Sequence, residues 1–345
     1  MWRALAIDEA SFGAEHPNVA RDLNNLAGLL QDTNRLAEAE PLMRRALAID
    51  EASFGAEHPN VGRDLNNLAG LLQDTNRMAE AEPLMRRALA IDEASFGAEH
   101  PNVGRDLNNL VGLLQDTNRM VEAEPLMRRA LTIHEASFGT EHPNVAVDLN
   151  NLAQLLQGTN RMVEAEPLMR RALAIVETNF GAEHPNVAIC LNNLALLLKG
   201  SNRLAEAEPL MRRALAIDET SFGAEHPNVA IRLNNLATLL QDTNRLAEAE
   251  PLMRRALVID ETSFGAEHPN VAVDLNNLAQ LLKGSNRLTE AEPLMRRALA
   301  ICIRSYGVGH PSSQTVRQNY FVLGKSLGRP ENQILEVIKS VLALT

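Results

Sequence analysis

The stretch HPNVARDLNNLAGLLQDTNR, His16 to Arg35, returns forty-two residues later as HPNVGRDLNNLAGLLQDTNR, His58 to Arg77. Its opening dipeptide stands at residues 16, 58, 100, 142, 184, 226, 268 and 310, always 42 apart. A fixed period of this length marks a solenoid, in which each unit buries its apolar face only against its neighbours. The 345 residues therefore read as one array rather than as two or three ordinary domains.

Each unit predicts two helices. The first begins at Pro17, because a proline at the first helical position gives up an N–H that would be unpaired anyway. Val19, Leu23, Leu26, Ala27 and Leu30 fall on one face of it. It stops at Asn34, a residue type that accepts the left-handed conformation. The second helix spans about residues 36–54, with Glu38 and Glu40 near the positive end of its dipole. Leu36, Ala39, Met43, Ala46 and Leu47 form its buried stripe, and Gly55 ends it. Pro41 lies more than a turn inside and predicts a slight bend or a loosened first turn.

Composition narrows the function. Hydrophobic residues make up 45% and aromatics 3%, so the core is aliphatic. A net charge of −11 argues against binding nucleic acid phosphates or an anionic membrane. No apolar run is long enough to span a bilayer, and the N-terminal residues lack the pattern of a secretory signal. Cys190 and Cys302 stand far apart in the array, which predicts reduced, buried residues of a cytoplasmic protein.

The placing of Leu26, Ala27, Leu30, Leu36, Ala39, Met43 and Ala46 resembles the tetratricopeptide repeat. The 42-residue period and the words HPNVA, LNNLA and EAEPLMRRAL are similar to its kinesin-light-chain type, as far as about residue 328. The family's aromatics at the places of Leu30 and Met43 are aliphatic here. The resemblance implies an all-α, right-handed α-α superhelical solenoid. Residues 1–15 read as a partial repeat, the second half of a second helix. Residues 16–309 read as seven repeats, and 310–345 as a degenerate repeat with a C-terminal capping helix. Because MWRALAID aligns with MRRALAID at Met43, an apolar face is expected to lie open at the first helix. That opening suggests self-association there, or a sensor or scaffold portion of a larger signalling protein.

Catalytic and metal chemistry find no support. Eight of the nine histidines are one per repeat and do not converge on an ion. The ninth, His134 in HEASFGTEH, has the wrong spacing for a zinc-protease word. LGKSLG lacks the glycine of a phosphate loop, with Asn319 in its place. Glu38, Glu40, Asp50, Glu51 and their copies read as solvated outer faces of helices. No enzyme activity, cofactor or metal is expected.

The asparagines stand out, because asparagine is a mediocre helix former and two recur mid-helix in every unit. They are Asn24 and Asn25, Asn66 and Asn67, Asn108 and Asn109, Asn150 and Asn151, Asn192 and Asn193, Asn234 and Asn235, and Asn276 and Asn277. One reading has one amide of each pair bonding a neighbouring helix backbone. The resemblance implies another: first helices line a concave groove, and an asparagine at the place of Asn25 holds a peptide ligand's main chain. Relatives that clamp a C-terminal carboxylate carry lysine at the place of Asn24 and asparagine at that of Gly28, and this chain has neither. Groove positions also vary. Arg21, Arg63 and Arg105 give way to Val147, Ile189, Ile231 and Val273, while Gly28, Gly70 and Gly112 become Gln154, Leu196, Thr238 and Gln280. The expected ligand is an extended peptide or a partner helix, met by the amides, the arginines and then the apolar positions.

Overall fold

The computed structural model describes residues 1–33 and 35–343. Among these residues there are seventeen helices and no strand. They are α1 (Trp2–Phe12), α2 (Pro17–Asp32), α3 (Leu36–Phe54), α4 (Pro59–Asp74), α5 (Met78–Phe96), α6 (Pro101–Asp116), α7 (Met120–Phe138), α8 (Pro143–Gly158) and α9 (Met162–Phe180). There follow α10 (Pro185–Gly200), α11 (Leu204–Phe222), α12 (Pro227–Asp242), α13 (Leu246–Phe264), α14 (Pro269–Gly284), α15 (Leu288–Tyr306), α16 (Pro311–Ser326) and α17 (Glu331–Ala343).

The recurring HP dipeptide is a helix start. His16 Nδ1 accepts the Asn18 N–H at 3.2 Å, satisfying one of the free donors of the first turn. The imidazole is fixed from the other side by an aromatic four residues earlier: Phe12 stacks on His16 at 4.9 Å, and Tyr306 on His310 at 4.5 Å. The glycine between them takes φ near 90°, as at Gly97, a region closed to residues with a Cβ. At the other end of α4, α6, α8, α10, α12 and α14 an asparagine supplies the left-handed residue, with φ 60° at Asn76 and 59° at Asn118. Asn34, for which the same was expected, lies outside the described residues. Despite Pro41, α3 runs unbroken from Leu36 to Phe54, and in its first turn the Glu38 and Ala39 N–H groups donate to the Arg35 carbonyl.

Contacts divide the chain into two compact units, residues 1–175 and 176–345. Within each, a first helix packs between the second helix before it and its own second helix, and beside the next first helix. In the first unit Val61 and Leu65 of α4 meet Ala88 and Ile91 of α5, with Leu47 of α3 and Leu84 of α5 closing over them. In the second unit Val229 and Leu233 of α12 meet Ala256 and Ile259 of α13 in the same way. All five residues of the expected first-helix stripe, Val19, Leu23, Leu26, Ala27 and Leu30, are buried.

Two glycines of different surroundings test this account. A Cβ on Gly70 would meet nothing within 4 Å and the residue is helical, so Gly70→Ala should raise stability by about 0.5–1 kcal/mol. Gly97→Ala forces a side chain into φ +91° and should cost about 1–3 kcal/mol. Urea unfolding of the two variants checks the contrast.

Candidate interaction surface

The first-helix face carries the paired asparagines, and the structure separates the two members of each pair. The first member reaches across to the next repeat. Asn24 Nδ2 donates to Asp64 Oδ1 at 2.8 Å, Asn66 to Asp106 at 2.8 Å, Asn108 to Asp148 at 2.6 Å, and Asn234 to Asp274 at 2.5 Å. Its partner is a carboxylate side chain, not the helix backbone expected from sequence. Asn192 instead accepts from Asn235, and Asn276 from Asn319; Asn150 is also engaged. The second member is turned outward: Asn25 and Asn67 are exposed, and Asn109, Asn151, Asn193, Asn235 and Asn277 are half-buried.

Beside the asparagines stand the variable positions. Val147 in the first unit, and Ile189, Ile231 and Val273 in the second, are 55%, 46%, 48% and 55% exposed. The arginines at the same place are half-exposed but not idle. Arg63 donates to Asp64 Oδ1 at 3.0 Å and reaches Asp50 Oδ2 at 3.4 Å. Arg105 treats Asp106 and Asp92 alike, at 3.1 and 3.3 Å, and Arg21 lies 3.6 Å from Asp8.

Those aspartates were missed from sequence. Asp50 was expected on a solvated face, but it is buried, because it follows Ala39, Met43 and Ala46 on the same stripe. It belongs to a pair of positions fourteen residues apart, one on a second helix and one on the following first helix. The pair is Asp50 with Asp64, Asp92 with Asp106, His134 with Asp148, Val176 with Cys190, Asp218 with Arg232, Asp260 with Asp274, and Cys302 with Val316. All fourteen side chains are buried. The two members change together: both acidic, acid with base, or both apolar. His134 Nδ1 lies 2.6 Å from Asp148 Oδ2, and Arg232 Nε lies 2.8 Å from Asp218 Oδ2. The coupled changes at 176 with 190, and 218 with 232, are the signal a reading by period alone passes over.

Two acids cannot both ionise cheaply when desolvated side by side. Burial pushes Asp64 and Asp106 up to about 6 against the pull of Arg63 and Arg105. Asp260 is pushed up to about 6 by burial, and Asp274 to about 7 by burial and by the charge of Asp260. His134 is raised by its hydrogen bond to Asp148.

Over two of these junctions the surface opens. A cleft of about 370 Å³ lies over His134 and Asp148, bordered by Arg105, Asn109, Asn144 and Val147. Another of about 220 Å³ lies over Asp260 and Asp274, bordered by Ile231, Asn235, Val273 and Asn277. His134 fits only because residue 104 is glycine: a Cβ there would lie 2.5 Å from His134 Nε2.

The remaining carboxylates also depart from a solvated outer face. Glu40 receives Arg77 of the next repeat at 2.7 Å, and Glu51 receives Arg87 at 2.7 Å. Arg87 adds a bond to the Ala56 carbonyl at 2.7 Å. These are stitches between repeats, while Glu38, paired with Arg35, is exposed as expected. No cluster of three or more metal-ligating side chains occurs among the described residues. None of the helices is long and apolar enough to cross a membrane.

The tetratricopeptide repeat family model matches residues 3–52, 23–94, 65–119, 106–177, 149–220, 202–262 and 228–304. The chain is a tetratricopeptide repeat protein. A Podosopora anserina protein with nearly identical TPR-like repeats, named for kinesin light chain, is 25% identical with a TM-score of 0.52; the match covers 60% of this chain and 98% of that one. BtubC (BKLC) from P. vanneervenii is 25% identical, TM-score 0.54, over 69% of this chain and 93% of its own. A tetratricopeptide repeat protein from Parabacteroides merdae shares the fold at 14% identity, TM-score 0.57, over 89% of this chain and 98% of that one. No protein of curated function matches. Kinesin-light-chain-like repeats are thus among the structural neighbours of this tetratricopeptide repeat chain, as its sequence words suggested.

Two measurements probe the buried pairs. Gly104→Ala should be strongly destabilising through His134, whereas Gly62→Ala, whose Cβ would stand 3.3 Å from Asp92 Oδ1, should be tolerated far better; thermal melts compare them. Asp274 holds a proton in the fold up to about pH 7 that an unfolded aspartate loses near pH 4. Its contribution is therefore full below pH 4 and lost as pH rises towards 7. The parent should lose more melting temperature between pH 5 and pH 8 than Asp274→Asn does; equal losses would contradict the assignment.

Proposed function

We propose that the protein is a non-catalytic binding module that captures an extended polypeptide or partner helix along its first-helix face. Tetratricopeptide repeats are protein-interaction modules, and the first-helix face is the surface that suits that role here. The observation that carries it is the division of labour within the first three asparagine pairs. Asn24, Asn66, Asn108 and Asn234 are consumed by the next repeat's aspartate, but Asn25, Asn67, Asn109 and Asn151 present amides outward. An amide offers donor and acceptor together, which matches a peptide group.

The exposed aliphatics beside these amides, Ile189, Ile231 and Val273, give a ligand apolar contact in the second unit. In the first unit Arg63 and Arg105 retain half-exposed guanidinium groups for acidic side chains, although they are shared with the buried aspartates. Cys190 and Cys302, both unpaired and buried, support a reducing, cytoplasmic setting.

The test is capture of peptides from a random library by the immobilised chain, repeated with Asn109→Ala plus Asn151→Ala. Loss of one ligand hydrogen bond costs about 0.5–1.5 kcal/mol, so the double variant should weaken capture roughly tenfold while its helicity and melting temperature stay near the parent's. Capture unchanged by the double variant would put the ligand elsewhere.

A further inference from the structure

The chain supplies its own pattern for what belongs over a pair of buried aspartates. At Asp50 with Asp64 the guanidinium of Arg63 sits against both acids, and at Asp92 with Asp106 that of Arg105 does. At Asp218 the guanidinium comes from Arg232 within the pair itself. Asp260 with Asp274 breaks the rule. The residue before Asp274, where Arg63 and Arg105 stand, is Val273, and among the described residues no guanidinium lines the cleft over this pair.

What stands there instead is an opening. The cleft of about 220 Å³ is floored by Asp260 and Asp274, which are 4% and 1% exposed. Asp274 Oδ1 accepts from Asn234, its Oδ2 has no donor beyond the pair, as at Asp64 and Asp106, and a hydrogen bond joins the two acids. In the first unit Arg63 and Arg105 each bond one oxygen of both acids, and such charge-assisted bonds are stronger than a hydrogen bond between two acids. Ile231 and Val273 flank the opening and suit the methylene stem of a long cationic side chain. Asn235, Asn270 and Asn277 add amides around it. Glu261, whose charge also raises Asp274, is held by Arg297 at 2.5 Å and is not among the residues lining the cleft.

We propose that this cleft is a receptor for the guanidinium of an arginine side chain on the polypeptide that the first-helix face binds. The assignment deepens the groove reading and rests on it for the source of the arginine. The incoming cation takes the place that Arg63 and Arg105 fill in the first unit, bonding the pair at the outer edge. It also displaces the proton that the pair keeps when empty, so binding tightens as pH rises through the range in which Asp274 titrates.

Two substitutions and one isosteric probe separate the outcomes. Acetyl-Gly-Arg-Gly-amide and its citrulline counterpart, which has the same shape without the charge, are titrated onto the full-length chain while the methyl resonances of Ile231 and Val273 are followed. The arginine peptide should shift them saturably, at least tenfold more tightly than the citrulline peptide, and more tightly at pH 8 than at pH 6. Val273→Arg rebuilds the Arg63 arrangement. Followed through Ile231, it should abolish the shift and raise the melting temperature; Asp274→Asn should abolish the shift as well. Equal response to arginine and citrulline, or a Val273→Arg protein that still binds, overturns the proposal. Saturable arginine binding with no peptide captured by the chain would leave the receptor standing and remove the groove reading. Captured peptides that Val273→Arg fails to weaken would do the reverse.

Discussion

A helix pair cannot bury its apolar stripe alone, so every repeat must remake the same seam with its neighbour. In this protein the seam is not wholly apolar. Leu47, Val61, Leu65, Leu84 and Ile91 close one part of it, and the rest holds a buried position on each of two successive helices. That pair is the constraint from which the polar architecture follows. An aspartate there needs a donor, which fixes the first asparagine of the repeat before it; it needs a counter-charge, which ties down Arg63 and Arg105.

The pairs also explain why near-identical repeats differ where they do. Removing one partner of a buried polar pair strands the other, at a cost of several kcal/mol, whereas changing both can be neutral. Val176 with Cys190 and Asp218 with Arg232 are two ways of changing both. His134 is a third, and its bulk needs the glycine at 104 as well as Asp148. Exposed ion pairs such as Arg35 with Glu38 are worth little individually. The regular stitches of Arg77 to Glu40 and Arg87 to Glu51 set the register between repeats rather than the bulk of the stability.

Most of the fold was legible in the sequence because its signals are local. Pro17 and Gly55 mark helix ends by backbone geometry, and Val19 through Leu30 mark a face by period. The surface was legible in part. Asn25 and Val147 are placed by the same helical period that buries Leu26, so their exposure could be read. The role of Asn24 could not, because its partner Asp64 lies forty residues on, in the next repeat. Asp50 differs for a related reason: its charge predicts solvent, whereas its spacing from Ala46 puts it on the buried stripe. Comparing repeats position by position, rather than reading one repeat closely, exposes the coupled changes that reveal such a pair.

The two members of a junction act as one unit, and a double-mutant cycle at Asp218 and Arg232 tests this coupling. Ile231 already matches Ile189, so Asp218→Val with Arg232→Cys recreates the Val176–Cys190 junction in a matching setting. Urea unfolding of the parent, both single variants and the double variant gives the coupling. Each single variant should lose about 3–5 kcal/mol by stranding a buried charge, and the double variant should return close to the parent. A double variant whose loss equals the sum of the two single losses would contradict the account.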